Sequence, residues 1–342
     1  MIIHFAGNTV IAERENRLIR LSTPRLFSYY YISNDLFNNK KMFNMCKNKV
    51  ELFLDSGAFS AYTQGVNINL YEYIAFIKEN IEYIHTYANL DVIGNPEETW
   101  KNQLRMEKAG LNPLPCFHYG EEEKWLKKYL DRGYSYIALG GMVRTPNLIP
   151  WLDHIFLKYL LTPLKTPAIK VHGFGLTSVP LMLRYPWYSV DSTSWVMCGR
   201  MGGIYMPMWR NGRWDYSENS WKISVSSTSP DLKIPNAHVL TLPEKQRQLV
   251  LQYIESKGYK LGSSVFEYRD STYILQENEK WAEKKHKDNK TKRKIEIITE
   301  VGISNTYQLR DEMNVLYFMD LEKNMPEWNS SRLCTNNLTP LF

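Results

Sequence analysis

The chain alternates short apolar runs with longer amphipathic segments over its first 205 residues. The apolar runs have the length of buried strands, and most of them end in glycine or a polar residue. We predict strands in eight segments: "IIHFAG" (2–7), "FSYYYIS" (27–33), "ELFLD" (51–55), "YANLDVIG" (87–94), "PLPCFHYG" (113–120), "YIALGG" (136–141), "AIKVHGFG" (168–175) and "WYSVDS" (187–192).

Helical patterns separate several of these runs, in segments 69–84, 95–110, 120–133 and 146–161. Strands that alternate with helices predict a parallel sheet of the α/β class. Eight such strands favour a (β/α)8 TIM barrel over an open doubly wound sheet, which stays the alternative. Residues 8–26 are the weakest part of this interpretation because they show no clear first helix.

The alternation stops near residue 205, so we divide the chain into a barrel, 1–205, and a C-terminal extension, 206–342. In the extension, Asn211 and Gly212 separate two strand-like segments, which predicts a β-hairpin. Residues 241–259 have a helical pattern. The basic run 280–294 is interpreted as a solvated helix face or as a nucleic-acid tether.

The composition is typical of a soluble globular protein, with 44% hydrophobic and 23% charged residues. No apolar run reaches the roughly 20 residues of a membrane span, and the N-terminus lacks a signal-peptide pattern. We therefore expect a cytoplasmic protein with no membrane partner. The net charge of +6 permits a polyanionic partner without requiring one. The four cysteines form no Cys-x-x-Cys pair, so we expect reduced, mostly buried thiols.

Polar or flexible residues recur where six of the eight apolar runs end. In a (β/α)8 barrel, these carboxyl ends form the mouth of the active site. Three aspartates that each follow an apolar strand therefore predict a catalytic mouth, although each could instead cap a turn or a helix. The residues at these positions are Asp55, Asp91, His118, Gly140, Gly141, His172 and Asp191.

Several carboxylates around one mouth suit two kinds of chemistry. Two acids can have different roles in the cleavage of a glycosidic bond: one attacks the anomeric carbon, and the other transfers protons. Carboxylates can also bind a divalent metal ion. The sequence has no His-x-His or Asp-x-Asp cluster at these ends, so we favour glycosidic chemistry and expect no metal site.

Four motifs resemble, in order, those of the tRNA-guanine transglycosylases. "LDSGAFSAY" (54–62) is similar to the family's aspartate-serine-glycine-glycine-phenylalanine signature, and "IALGGMV" (137–143) to its Gly-Gly loop. "HGFGLTS" (172–178) resembles its Gly-x-Gly segment, and "VDSTSWVMCGRMGGIY" (190–205) its later motif with an aspartate, a short loop, an arginine and a glycine. The resemblance covers roughly residues 50–205. It implies a TIM barrel that exchanges guanine in a nucleic acid for a 7-deazaguanine base.

The same resemblance implies roles for individual residues. Asp191 corresponds to the nucleophile that attacks C1′, and Asp55 corresponds to the general acid/base. His118 stands where the family usually has glutamine. The implied base-binding residues are Asp91, His118, Gly140, Gly141 and Ser56.

The chain departs from the tRNA enzymes in ways that indicate a divergent branch. It lacks their cysteine-rich zinc site after the barrel, Ala58 replaces a glycine and Ser60 replaces a glutamine. The chain is most similar to the DpdA-type transglycosylases, which insert 7-deazaguanines such as preQ0 into DNA, often in bacteriophages. This similarity implies DNA as the partner, with tRNA as the alternative, a free 7-deazaguanine as second substrate and no cofactor.

Four further side chains are candidate nucleic-acid contacts: His172, Arg200, Arg210 and Arg213. Each has a structural alternative, such as a turn at Arg200 or a core position at His172. Two other functions also stay open. One is an N-glycosidase, in which water resolves the sugar–enzyme ester, and the other is a noncatalytic nucleic-acid-binding barrel.

Overall fold

The structure is a computed structural model that describes residues 1–7, 21–33, 43–44, 46–47, 50–143, 145–176, 178–282 and 291–334. Residue contacts group the chain into two compact units. The first unit is Met1–Thr193 with Met325–Phe342, and the second is Ser194–Asn324. By this grouping the first unit ends earlier than the boundary predicted near residue 205.

Eight parallel strands form the sheet of the first unit. They are β1 Ile2–Ala6, β2 Arg25–Ser28, β3 Leu52–Asp55, β4 Thr86–Tyr87, β5 Cys116–His118, β6 Tyr136–Gly140, β7 Lys170–Gly173 and β8 Ser189–Ser192. Their order is β4-β3-β2-β1-β8-β7-β6-β5. A parallel bridge between Ala88 and Leu114 joins the β4 and β5 edges, and so the sheet closes on itself. The predicted (β/α)8 TIM barrel is confirmed.

The described helices of the barrel unit include four that lie within the predicted segments, with shorter bounds, and three short ones, at 29–32, 58–63 and 179–184, that were not predicted. They are α1 Tyr29–Ile32, α2 Ala58–Thr63, α3 Leu70–Glu79, α4 Pro96–Lys108, α5 Glu123–Asp131, α6 Leu148–Ile155, which continues into a π-helical turn, Phe156–Leu160, and α7 Val179–Arg184. Side-chain caps explain two of the starts, since Asn69 accepts from the Tyr71 amide at 2.9 Å and Asn95 accepts from the Glu98 amide at 3.1 Å.

One strand prediction was too long. The strand expected over residues 27–33 ends at Ser28, because the tyrosine-rich segment Tyr29–Ile32 is helical. Residues 8–20, most of the segment without a helical pattern, lie outside the described residues.

Small and apolar side chains fill much of the barrel interior. One buried cluster consists of Ala6, Leu26, Phe53, Ala88, Leu114, Cys116 and Ala138. Arg25 is also buried, and its Nη2 donates to the carbonyl of Gly7 at 3.0 Å. The barrel is therefore a packed core, and the ends of its strands are the place for a ligand.

The second unit contains the predicted hairpin and the predicted helix. Asn211 and Gly212 have φ of 49° and 76°, the left-handed values that a two-residue hairpin turn needs. Its main elements are α8 Ser194–Arg200, β9 Gly203–Met206, β10 Met208–Arg210, β11 Arg213–Asp215, β12 Trp221–Ser224, α9 Glu244–Ser256, β13 Ser263–Asp270, β14 Glu279–Trp281, β15 Lys292–Glu300 and α10 Tyr307–Asn324.

The basic run 280–294 is not a helix at its described ends. It begins in β14 and finishes in β15, and these two strands pair antiparallel. Residues 283–290 lie outside the described residues. The interpretation as a helix face is therefore wrong for the ends of the run.

Among the described helices, none is long and apolar enough to cross a membrane.

Three of the four cysteines can be described. Cys46, Cys116 and Cys198 are free and buried, as predicted, whereas the side chain of Cys334 lies outside the described residues. Burial raises the pKa of both Cys116 and Cys198 to about 12. Neither thiol is therefore a ready nucleophile at neutral pH.

Candidate active site

The three aspartates predicted to converge lie at or just beyond the carboxyl ends of their strands. Asp55 is the last residue of β3, Asp191 is the third residue of β8, and Asp91 follows β4. The charges of Asp191 and Asp91 both act on Asp55. The structure thus brings the three carboxylates into one electrostatic environment at the mouth of the barrel.

Asp55 has the properties of a group that exchanges protons near neutral pH. Burial, followed by the negative charges of Asp191 and Asp91, raises the pKa of Asp55 from 3.8 to about 7. Backbone hydrogen bonds from Gly57 and Ser56 oppose this rise without cancelling it. The Gly57 amide donates to Oδ2 at 3.0 Å, which fixes the carboxyl group. Asp55 is therefore populated in both protonation states at pH 7.

Asp191 is buried and held by a single backbone donor. The amide of Gly175 donates to Oδ1 at 2.7 Å, and Nε2 of His172 lies 3.4 Å from the same oxygen. Within the described part of the chain, no hydrogen bond engages Oδ2. One oxygen, Oδ1, therefore anchors the carboxyl group.

His172 is a supporting residue rather than a surface contact. It is fully buried, its Nδ1 lies 2.6 Å from Oγ of Ser189, and that hydroxyl lies 2.6 Å from the hydroxyl of Tyr136. Burial lowers the pKa of His172 and outweighs the attraction of Asp191, so the ring is neutral at pH 7. A side chain without exposed surface cannot contact DNA, which corrects the prediction for His172.

Asp91 and His118 belong to a second cluster at the mouth. Nε2 of His118 lies 3.3 Å from Oδ2 of Asp91 and 3.6 Å from Sγ of Cys116. Nδ1 of His118 lies 3.3 Å from Oε1 of Glu121. Burial disfavours a charged ring, but Cys116 and Asp91 outweigh it and hold the pKa of His118 well above its usual value. Sequence reasoning missed Cys116 and Glu121, although Cys116 and His118 are two positions apart on one strand.

The two glycines of the "ALGG" segment make room for neighbouring protein atoms. A Cβ on Gly140 would lie 2.7 Å from Cδ2 of His118 and 2.9 Å from Sγ of Cys116. Gly141 has a φ of 72°, and its Cβ would meet the Tyr119 amide nitrogen at 3.1 Å. Gly140 therefore permits the His118 ring to lie where it does. The base-binding role of both glycines stays a prediction.

A cavity of about 390 Å³ lies beside Asp91. Its polar lining residues include Asn67, Asp91 and Asn102. The other lining residues include Ala58, Ala61, Tyr62, Val66, Leu90, Val92 and Ile93. A cavity lined by both apolar and polar side chains suits a planar heterocycle with a polar edge. Ser56, also predicted to bind the base, is buried, and its hydroxyl accepts from the Ala58 amide at 3.4 Å.

The three predicted arginines, Arg200, Arg210 and Arg213, lie in the second unit. Arg200 is the last residue of α8, and Arg210 faces Arg213 across the hairpin. Arg210 also lies 2.6 Å from a carboxylate oxygen of Glu218 and 3.8 Å from one of Asp215. Part of its charge is therefore already neutralised within the protein, and its contact to a nucleic acid stays a prediction.

Replacement of Gly57 should destabilise the protein more than replacement of a comparable glycine. Gly57 has a φ of 77°, and a Cβ there would lie 2.4 Å from Cβ of Tyr30 and 2.5 Å from Oγ of Ser28. Left-handed strain and overpacking together should cost Gly57→Ala about 2 to 5 kcal/mol. Gly65 has a φ of 66° with nothing near its Cβ, so Gly65→Ala should cost only about 1 to 2 kcal/mol. Denaturant unfolding measures both, and equal losses would contradict the close packing around Gly57.

Comparison with known proteins adds no family assignment. No protein-family model and no curated protein sequence matches the chain. Solved structures of mutant tryptophan synthase α-subunits from Pyrococcus furiosus are similar in fold, at 12% identity and TM-scores of 0.37 and 0.38. The matches cover 58% and 59% of this chain and 88% and 91% of those chains. A likeness of this size carries no argument about activity.

Proposed function

We propose that this protein is a transglycosylase that exchanges guanine in DNA for a 7-deazaguanine base. The observation that carries the proposal is the pair Asp55 and Asp191. One carboxyl has its pKa raised to about 7, and the other is a buried carboxylate anchored through one oxygen. Two carboxyl groups in different environments suit a division into acid/base and nucleophile.

The proposed reaction is a double displacement at C1′ of a nucleotide flipped out of its strand. Oδ2 of Asp191 attacks C1′, the C1′–N9 bond breaks, and N9 of the departing guanine takes the proton of Asp55. A covalent sugar–enzyme ester remains. The 7-deazaguanine then gives its N9 proton to Asp55, attacks C1′ and releases the Asp191 carboxylate. Two inversions restore the original configuration, and no net oxidation or ATP hydrolysis is required.

The cavity beside Asp91 is the proposed place for the base. Its apolar lining suits the faces of a purine, and the Asp91 carboxylate suits the N–H groups on the edge of guanine. Guanine and a 7-deazaguanine share this edge, so one cavity can accept both bases in turn.

DNA is the preferred polymer because of the composition of the second unit. Trp209 and Trp214 pack edge to face on the hairpin, with ring centroids 4.6 Å apart. Arg293 lies over the ring of Trp281, with its guanidinium carbon 3.9 Å from the centroid. Aromatic rings beside cations suit a strand that is held by its phosphates while one base is unstacked.

Incubation with labelled guanine and, separately, DNA and tRNA tests the proposal. We expect label in DNA, and a 7-deazaguanine deoxynucleoside in the DNA of cells that express the protein and make the base. Label in tRNA alone would identify a tRNA enzyme. Release of guanine without incorporation would identify an N-glycosidase, and binding without either reaction would identify a noncatalytic barrel.

A further inference from the structure

Asp91, Cys116 and His118 present three different metal-binding atoms to one point. A carboxylate oxygen, a thiol sulfur and an imidazole nitrogen all lie within 4.8 Å of one another. Cys116 and His118 are at positions i and i+2 of β5, so both side chains leave the same face of the strand. Asp91 follows β4, the neighbouring strand in the closed barrel. All three residues belong to the first unit.

Glu121 prepares His118 to act as a ligand through Nε2. Its Oε1 lies 3.3 Å from Nδ1 of His118, and its Oε2 accepts from the His118 backbone amide at 3.0 Å. Metal-binding histidines commonly donate their other ring N–H to a carboxylate in this way. In the neutral ring with its proton on Nδ1, this contact leaves the lone pair of Nε2 facing Asp91 and Cys116.

Two further observations single out this cluster. Oδ1 of Asp91 is buried and has no hydrogen-bond partner among the described residues. The ring of His118 and the sulfur of Cys116 also occupy the space that a side chain on Gly140 would need. The cluster therefore has an unsatisfied buried oxygen, and the missing side chain at Gly140 gives the His118 ring and the Cys116 sulfur room to lie beside each other.

We propose that Asp91, Cys116 and His118 bind one divalent cation of the zinc class. A mixed sulfur, nitrogen and oxygen donor set suits Zn²⁺ and disfavours Mg²⁺ and Ca²⁺, which take oxygen ligands. Three protein ligands leave a coordination position of a tetrahedral ion for water or a substrate atom. This site shares Asp91 with the proposed base cavity, and its existence is measured without reference to activity.

The test uses the tag-free full chain, stripped of metal and titrated with Co²⁺ and then Zn²⁺. We expect one Co²⁺ per chain, a sulfur-to-cobalt charge-transfer absorption, and displacement of Co²⁺ by Zn²⁺ in a chelator competition. Cys116→Ser should remove the sulfur absorption and weaken Zn²⁺ binding about 100-fold or more. Glu121→Gln should keep the absorption but weaken binding about 10- to 100-fold, since Glu121 only orients a ligand.

Cys198→Ser is the matched control, because Cys198 is also a free, buried cysteine but lies in the second unit. It should keep both the absorption and the affinity. Wild-type protein that binds no stoichiometric Co²⁺ or Zn²⁺ would overturn the proposal, and this result does not depend on any variant folding. Binding without the sulfur absorption, or an absorption lost in Cys198→Ser but not in Cys116→Ser, would overturn it as well.

Discussion

Asp191→Asn should abolish base exchange and leave the fold intact. The amide oxygen of asparagine can still accept the hydrogen bond that Gly175 donates to Oδ1. An amide is a poor nucleophile towards C1′, so the covalent ester should not form. Loss of a catalytic nucleophile lowers turnover by several orders of magnitude, and we expect a decrease of about 10³-fold or more. Incorporation of labelled guanine measures the rate, and thermal unfolding measures the fold.

Asp131→Asn is the control for this substitution. Asp131 is exposed at the end of α5 and does not belong to the mouth, so its replacement should leave exchange unchanged. Wild-type protein quenched with acid during turnover should carry a nucleotide adduct on the peptide that contains Asp191, and the variant should carry none. Exchange by Asp191→Asn at the wild-type rate would remove Asp191 from the mechanism.

The sequence predicted the barrel because its strands are short, apolar and regularly interrupted. Buried parallel strands must be apolar on both faces, and this requirement leaves a pattern that can be recognised without coordinates. The same pattern located Asp55 and Asp191 at the mouth, since a carboxylate that ends an apolar strand stands out from it. The Asn211–Gly212 turn was equally recognisable, because few other residue pairs adopt its backbone conformation.

Contacts between strands could not be predicted in the same way. His172 and His118 both lie near the end of a strand. His172 is fully buried, whereas His118 belongs to a polar cluster with Asp91. Burial depends on which side chains face it from the neighbouring strands, and Ser189 and Phe53 are distant in the sequence. Cys116 was overlooked for the same reason: its partner Asp91 lies in the segment that follows β4, and only closure of the barrel brings β4 beside β5.

The tyrosine-rich segment 27–33 shows that residue type alone does not determine secondary structure. Aromatic residues favour strands in general, and the segment was predicted as one strand. The helix begins at Tyr29 because its aromatic rings pack against α3, where Tyr29 contacts Tyr73 and Phe76 at centroid distances of 4.9 Å and 5.1 Å. Tertiary packing of these rings, which the local sequence does not report, decides the local structure.

Asp55→Asn should slow base exchange and stabilise the folded protein at alkaline pH. Exchange needs Asp55 protonated when guanine leaves and ionised when the new base enters, so the wild-type rate should be highest near pH 7. Loss of a general acid/base typically costs about 10²- to 10⁴-fold, and the variant should also lose the dependence on a group with a pKa of about 7. Initial rates between pH 5 and pH 9 measure both effects.

The stability effect follows from the direction of the same pKa shift. The folded protein holds a proton on Asp55 up to a pKa of about 7, whereas the unfolded chain loses it near 3.8. Between these values the folded state binds more protons, so wild-type stability should fall as pH rises from about 4 to about 7. Each pH unit of this difference corresponds to about 1.4 kcal/mol, which gives a penalty on the order of 4 kcal/mol at pH 8.

Asparagine carries no charge, so Asp55→Asn should remove much of this penalty at pH 8 and little of it at pH 4. Urea unfolding of both proteins at the two pH values measures the difference, with Asp131→Asn as the exposed control. An Asp55→Asn variant that is no more stable than wild type at pH 8 would show that the Asp55 carboxylate is not destabilised in the folded protein, and its assignment as the acid/base would lose its physical basis.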